Sequence, residues 1–170
     1  TAGFFRYAGV PVWDADAAVH RLYAPGGDAV APLADRWPQV RDRAGGIDRA
    51  ALRAVIAADP GALAMVEGVV HPFVQADRSA FLGAATADIV VLDIPLLFET
   101  GADAEMQATL AVTAPAPVQR ARVLARPGMT EAAFEAILRR QMPDRDKRAR
   151  ATHIIETLGL AAAEAAVHAL

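Results

Sequence analysis

The 170-residue sequence predicts an α/β fold, a parallel sheet with flanking helices, on three observations. Four short apolar segments recur along the chain, at residues 10–13, 89–94, 109–113 and 152–156. The second, Ile-Val-Val-Leu-Asp-Ile, is a near-continuous apolar run of the kind buried on both faces in a parallel sheet. Helical patterns fill the intervals, and strands alternating with helices imply right-handed βαβ units.

Each element has its own signal. Residues 1–7 read as a helix that Ala8-Gly9 closes ahead of the first strand, and a second helix follows Asp14-Ala15-Asp16 at once. The stretch from about 30 to 83 is helical and too long for a plain crossover, so a helical lobe is expected between the first two strands. Within it Asp48 stands as an N-cap for a helix over 49–58. Thr130 likewise caps 131–141, with an acid in the first turn and arginines near the end. Pro127-Gly128 breaks the helix that carries Arg122 and Arg126, and an alanine-rich helix ends the chain. The length suits one domain over 1–170, with a core at about 1–29 and 84–170, a lobe at about 30–83 and a lid at about 122–145.

Composition excludes several function classes. Alanine accounts for 41 residues, so the larger apolar types supply little more than an ordinary core. No apolar run approaches the roughly 20 residues that span a bilayer, and no basic-then-apolar signal segment opens the chain. With no cysteine, disulfides, thiolate metal sites and cysteine nucleophiles are excluded, and the cytoplasm is the expected compartment. Ser79 is the only serine and has no nucleophile-elbow context, which disfavours covalent hydrolase chemistry. His20, His153 and His168 have no metal-site spacing, so no metal ligands are assigned. The net charge of −3 hides an asymmetry: residues 119–150 hold nine basic side chains, Lys147 and eight arginines, against four acids. A local cation cluster on an acidic chain suits a small polyanion such as a nucleotide triphosphate better than nucleic acid. Its other reading is a solvated helix face.

Candidate residues cluster where strands end, since ligands of open α/β sheets bind beyond the carboxyl ends of strands. Asp14 and Asp16 could orient a hydrated Mg²⁺ and accept a proton from an attacking hydroxyl, or Asp16 could simply cap the next helix. Asp93 ends the second strand in a Walker B-like pattern that any buried strand followed by Asp would match. Pro95, Leu96 and Glu99, within Ile-Pro-Leu-Leu-Phe-Glu, form either a ligand floor or ordinary core. His71-Pro72 is a ligand contact or a structural feature of the lobe. Arg122 and Arg126 share a helical face at i, i+4 beside a hinge, as lid arginines neutralising phosphate would.

Together these blocks resemble the dephospho-CoA kinase family. The carrying residues are Ala8-Gly-Val-Pro-Val-Trp-Asp-Ala-Asp16, Gly45-Gly-Ile-Asp-Arg-Ala-Ala-Leu52, His71-Pro72, Pro95-Leu-Leu-Phe-Glu-Thr-Gly101 and Val118-Gln-Arg-Ala-Arg-Val-Leu-Ala-Arg-Pro-Gly-Met129. Gln141-Met-Pro-Asp144 and Lys147-Arg-Ala-Arg-Ala151 continue the match, in order, over almost the whole length. The resemblance implies a P-loop kinase fold that transfers the γ-phosphoryl of ATP to the ribose 3′-hydroxyl of dephospho-CoA, with Mg²⁺, in the last step of coenzyme A synthesis. It puts Asp16 at the general base with Asp14 beside it, Arg122 and Arg126 at the ATP phosphates, and His71, Pro95, Leu96 and Glu99 on the acceptor side. The sequence contains no GxxxxGK[ST]. The family places that loop just ahead of the helix beginning at Thr1, so it is expected upstream. The turn at 155–159 is also shorter than the family's polar turn. The partners expected are small molecules, with neither nucleic acid nor membrane, and the protein is expected to be a monomer. The rival enzyme is another P-loop kinase acting on a nucleotide or nucleoside. The rival from another class is a non-catalytic nucleotide-binding relative without the phosphate loop.

Overall fold

The computed structural model describes residues 1–170 and has the α/β character expected. In chain order the first half comprises α1 (Ala2–Tyr7), β1 (Val12–Asp14), α2 (Ala15–Tyr23), α3 (Val30–Arg36), α4 (Arg49–Ala58), α5 (Ala62–Ala84) and β2 (Val91–Asp93). The second half comprises β3 (Leu110–Thr113), α6 (Ala116–Leu124), α7 (Glu131–Arg140), α8 (Asp144–Arg150), β4 (His153–Glu156) and α9 (Leu160–His168). Short 3-10 turns lie at Pro38–Val40 and Ala102–Glu105.

The contacts divide the chain into two units: Val10–Ile94, and Thr1–Gly9 with Pro95–Leu170. In the first, β1 and β2 run parallel with Val12, Trp13 and Asp14 opposite Val91, Leu92 and Asp93. The crossover joining them carries α2 to α5, which confirms that 30–83 is mainly helical. Its core gathers Leu22, Val30, Leu33, Val40, Leu52 and Val70, of which Leu33 and Val40 are fully enclosed. The block at 45–52 is a tight turn that delivers a cap. Asp42 Oδ1 accepts the N–H groups of Ala44 and Gly46, both at 2.8 Å, while Gly45 adopts φ 90°. Gly46 has no room for a side chain, because a Cβ there would lie 2.8 Å from the Tyr23 carbonyl oxygen. The turn ends at Asp48, whose Oδ1 accepts Ala50 and Ala51 N–H at 2.8 and 3.1 Å, as its N-cap role requires.

In the second unit β3 and β4 run parallel, from Leu110 opposite His153 to Thr113 opposite Glu156. Ile155, Ala163 and Val167 form the core there, with Phe4, Phe5 and Leu110 against them. Thr130 Oγ1 accepts Ala133 N–H at 3.2 Å, so α7 starts where expected and ends one residue early, at Arg140.

Within each unit the strands pair in parallel, β1 with β2 and β3 with β4. One expectation is corrected: the run at 89–94 is not buried on both faces. Paired along one edge only, it leaves Ile89 70% exposed and Val91 and Leu92 half-buried. No helix is long and apolar enough to cross a membrane.

Candidate active site

Two carboxylates of the Val10–Ile94 unit stand at strand ends. Asp14 and Asp93 are the last register pair of β1 and β2. Neighbouring strands lie about 4.8 Å apart, so two carboxylates stand side by side at the carboxyl edge. The β1 ladder runs one residue further than the sequence suggests, and this decides the cap. Asp14, in extended backbone, accepts Ala17 N–H at 3.0 Å and is the N-cap of α2. Asp16 therefore does not cap the helix. It lies in the first turn of α2, exposed, at the end where aligned backbone dipoles favour a negative charge. No group of three or more His, Asp or Glu side chains converges as a metal cage. The Asp14–Asp93 pair supplies hard oxygen donors of the kind Mg²⁺ takes when it keeps most of its waters and is shared with phosphate.

Behind this edge Trp13 is 4% exposed, and its indole N–H donates to Asp77 Oδ1 at 2.7 Å. Arg21 of α2 donates to the same oxygen at 2.6 Å. Burial alone would raise the Asp77 pKa, but these two donors outweigh it and hold the carboxyl below its usual value. Asp77 thus ties α5 to the residue that precedes Asp14. His71 is exposed on α5, followed by Pro72 inside the helix. That proline cannot supply the N–H normally given to residue 68.

In the other unit most cations of the basic segment pair with acids of the same unit. Arg120 pairs with Glu131, Arg139 with Glu135, Arg145 with Asp146, Lys147 with Glu99, Arg148 with Asp144 and Glu156, and Arg150 with Asp103. Arg122 is different: its guanidinium donates to Thr157 Oγ1 and the Leu158 carbonyl, both at 3.2 Å. These acceptors carry no charge, so the cation is held in place without being neutralised. Arg126 is exposed, but not one turn further along the same helix. α6 ends at Leu124, because a residue preceding proline is disfavoured in the helical conformation and Arg126 precedes Pro127. The two arginines therefore do not share a continuous helical face.

The segment after β2 is tightly held. Glu99 Oε1 accepts the Lys147 ammonium at 2.8 Å and the Met142 N–H at 2.7 Å. Burial pushes its pKa up, yet Lys147 and Met142 N–H outweigh this and hold it below the ordinary range. Glu99 is thus engaged with the α7–α8 connection, while Pro95 and Leu96 remain exposed. Lys147 was not singled out by sequence as a functional residue, nor was Asp77. Their partners lie 48 and 64 residues away, and no local pattern reports such pairs.

The family model described as dephospho-CoA kinase matches residues 1–162. The dephospho-CoA kinase of Cereibacter sphaeroides is 66% identical over 170 residues, covering all of this chain and 86% of the relative. That of Jannaschia sp. is 55% identical over 158 residues, or 92% of this chain and 80% of the relative. Among solved structures, a Thermus thermophilus protein superposes with a TM-score of 0.84 at 34% identity, over 99% of this chain and 86% of that one. The Campylobacter jejuni dephospho-CoA kinase shares the fold, with a TM-score of 0.68 at 16% identity over 99% and 87%. Matched by the family model over residues 1–162 and 66% identical to a relative along its full length, this chain belongs to the dephospho-CoA kinase family.

Proposed function

We propose that this protein transfers the γ-phosphoryl group of ATP to the ribose 3′-hydroxyl of dephospho-CoA, giving coenzyme A and ADP. The family match over residues 1–162 carries this reading. The phosphorus forms a bond to the 3′-oxygen as its bond to the bridging oxygen of ADP breaks, and the hydroxyl proton passes to Asp16. Asp16 is suited to this role because it is exposed and does not cap its own helix. Asp14 and Asp93 would hold Mg²⁺ through its waters. Held there, such an ion would supply charge neutralisation for the transferring phosphate. Arg122 meets the phosphates, since its cation faces only neutral acceptors, and Arg126 contributes a second, unpaired guanidinium. In such transfer most of the catalysis is positioning and charge neutralisation.

On this reading residues 30–83 form the lobe that takes the acceptor, with His71, Pro95 and Leu96 on the acceptor side. Residues 122–145 act as the lid, and the protein works as a cytoplasmic monomer. The experiment compares acceptors with the full-length protein. Dephospho-CoA should have a far higher kcat/KM than AMP or adenosine, because contacts to its pantetheine arm can be used to orient the reacting hydroxyl. Equal values for AMP and dephospho-CoA would favour a nucleotide kinase instead.

A further inference from the structure

Leu96 is the one residue other than glycine with a positive φ, at 59°. A leucine there meets a steric cost that glycine avoids, and such strain persists only where the surroundings over-determine it. They do so here. The Leu96 carbonyl accepts both the N–H of Thr100, at 3.1 Å, and its hydroxyl, at 3.0 Å. Next along the chain, Phe98 is buried, with the Arg150 guanidinium 5.4 Å from its ring centroid and 3.4 Å from its carbonyl oxygen. Arg150 also grips Asp103 at 2.6 Å, and Lys147 grips Glu99 at 2.8 Å. Two cations of α8 thus fasten the chain just beyond Leu96 at three residues. Core packing does not account for the strain, because the Leu96 side chain is 42% exposed.

We infer that Lys147 and Arg150 are positioning residues, which hold Leu96 in its left-handed conformation as an apolar contact for the acceptor. The inference rests on dephospho-CoA being that acceptor. Without the ties the segment relaxes towards ordinary backbone conformations. Only a fraction of molecules then presents Leu96 correctly, and apparent affinity falls by that fraction. ATP does not use this contact, so its KM is untouched.

The test is steady-state kinetics on the full-length protein, with a thermal melt for each variant. Lys147→Met should raise the KM for dephospho-CoA about tenfold, an effect of about 1.4 kcal/mol, with kcat and the KM for ATP within about twofold of wild type. Lys147→Arg, which keeps the cation, should recover most of the loss. Removing Lys147 alone strands the Glu99 charge, so Glu99→Gln with Lys147→Met is measured beside it and should show the same KM pattern. Leu96→Gly supplies the control for mechanism, since glycine adopts a positive φ without being held. In that background Lys147→Met should change the KM for dephospho-CoA by less than about twofold, a non-additivity expected only of residues acting through one another. An unmoved KM for dephospho-CoA in both Lys147 variants, equal rises for both substrates, or full additivity with Leu96→Gly overturns the inference. A wild-type protein unable to phosphorylate dephospho-CoA overturns the proposed activity, and this inference with it.

Discussion

Asp77 offers a sharp test of how the carboxylate edge is supported. Asp77→Ala removes the acceptor of two donors, the Trp13 indole at 2.7 Å and the Arg21 guanidinium at 2.6 Å. Trp13 is 4% exposed, so its N–H is left in a largely dry site, at a cost of about 1–3 kcal/mol. Arg21, with a side chain 57% exposed, is hydrated either way and contributes at most about 1 kcal/mol. Together these give a loss of about 1–4 kcal/mol, or roughly 2–16 °C in Tm for a chain of this size. Asp77→Asn keeps an oxygen for the indole and loses only the charge, so it should cost about 1 kcal/mol or less. The pH dependence has a definite sign. Because the folded-state carboxyl is held below its usual value, its contribution is fully present above the ordinary carboxylate range. It is lost as pH falls through the folded-state value, so wild type and Asp77→Asn should converge under strongly acid conditions. Melts at neutral and acid pH decide the matter. An alanine variant within about 0.5 kcal/mol of wild type, or an asparagine variant as damaged as the alanine one, would refute the reasoning.

Asp16→Asn should lower kcat by roughly 10²–10⁴-fold with ATP affinity nearly unchanged; near-normal turnover would remove Asp16 from the chemistry. Arg122→Ala should lower kcat by on the order of 10²-fold or more, with Arg122→Lys between it and wild type, because lysine keeps the charge and loses the planar fork. A thermal melt shifted by no more than about 0.5 kcal/mol would accompany that loss, whereas unchanged kcat in both variants would leave Arg122 only its contacts with Thr157 and Leu158. Asp48→Ala should destabilise by about 1 kcal/mol in urea unfolding, since two N–H groups at the start of α4 lose their acceptor; no change in midpoint would contradict that cap.

Local chemistry made part of this legible in sequence. Asp48 and Thr130 were readable as caps because a side-chain oxygen two or three residues ahead of a free N–H is a short-range arrangement. The β2 run was readable from apolar content, but its burial was not, because exposure depends on how many strands flank it. Asp14 and Asp16 were ambiguous for a similar reason. Whether β1 ends at residue 13 or 14 is set by its pairing with β2, and that single residue decides which carboxylate caps α2. The site followed the same rule. Arg122 could be chosen from its place before Pro127-Gly128, but its neutral acceptors at Thr157 and Leu158 could not. A nine-cation segment looked uniformly available in sequence, and only distant acids such as Glu99 and Asp103 show which cations are engaged.

The central claim is the identity of the reaction, and the product tests it most directly. Full-length protein, ATP, Mg²⁺ and dephospho-CoA should yield ADP and one new phosphomonoester, its ³¹P resonance coupled to the ribose 3′ proton. A product phosphorylated at another position, or ADP released without transfer to dephospho-CoA, would contradict the account.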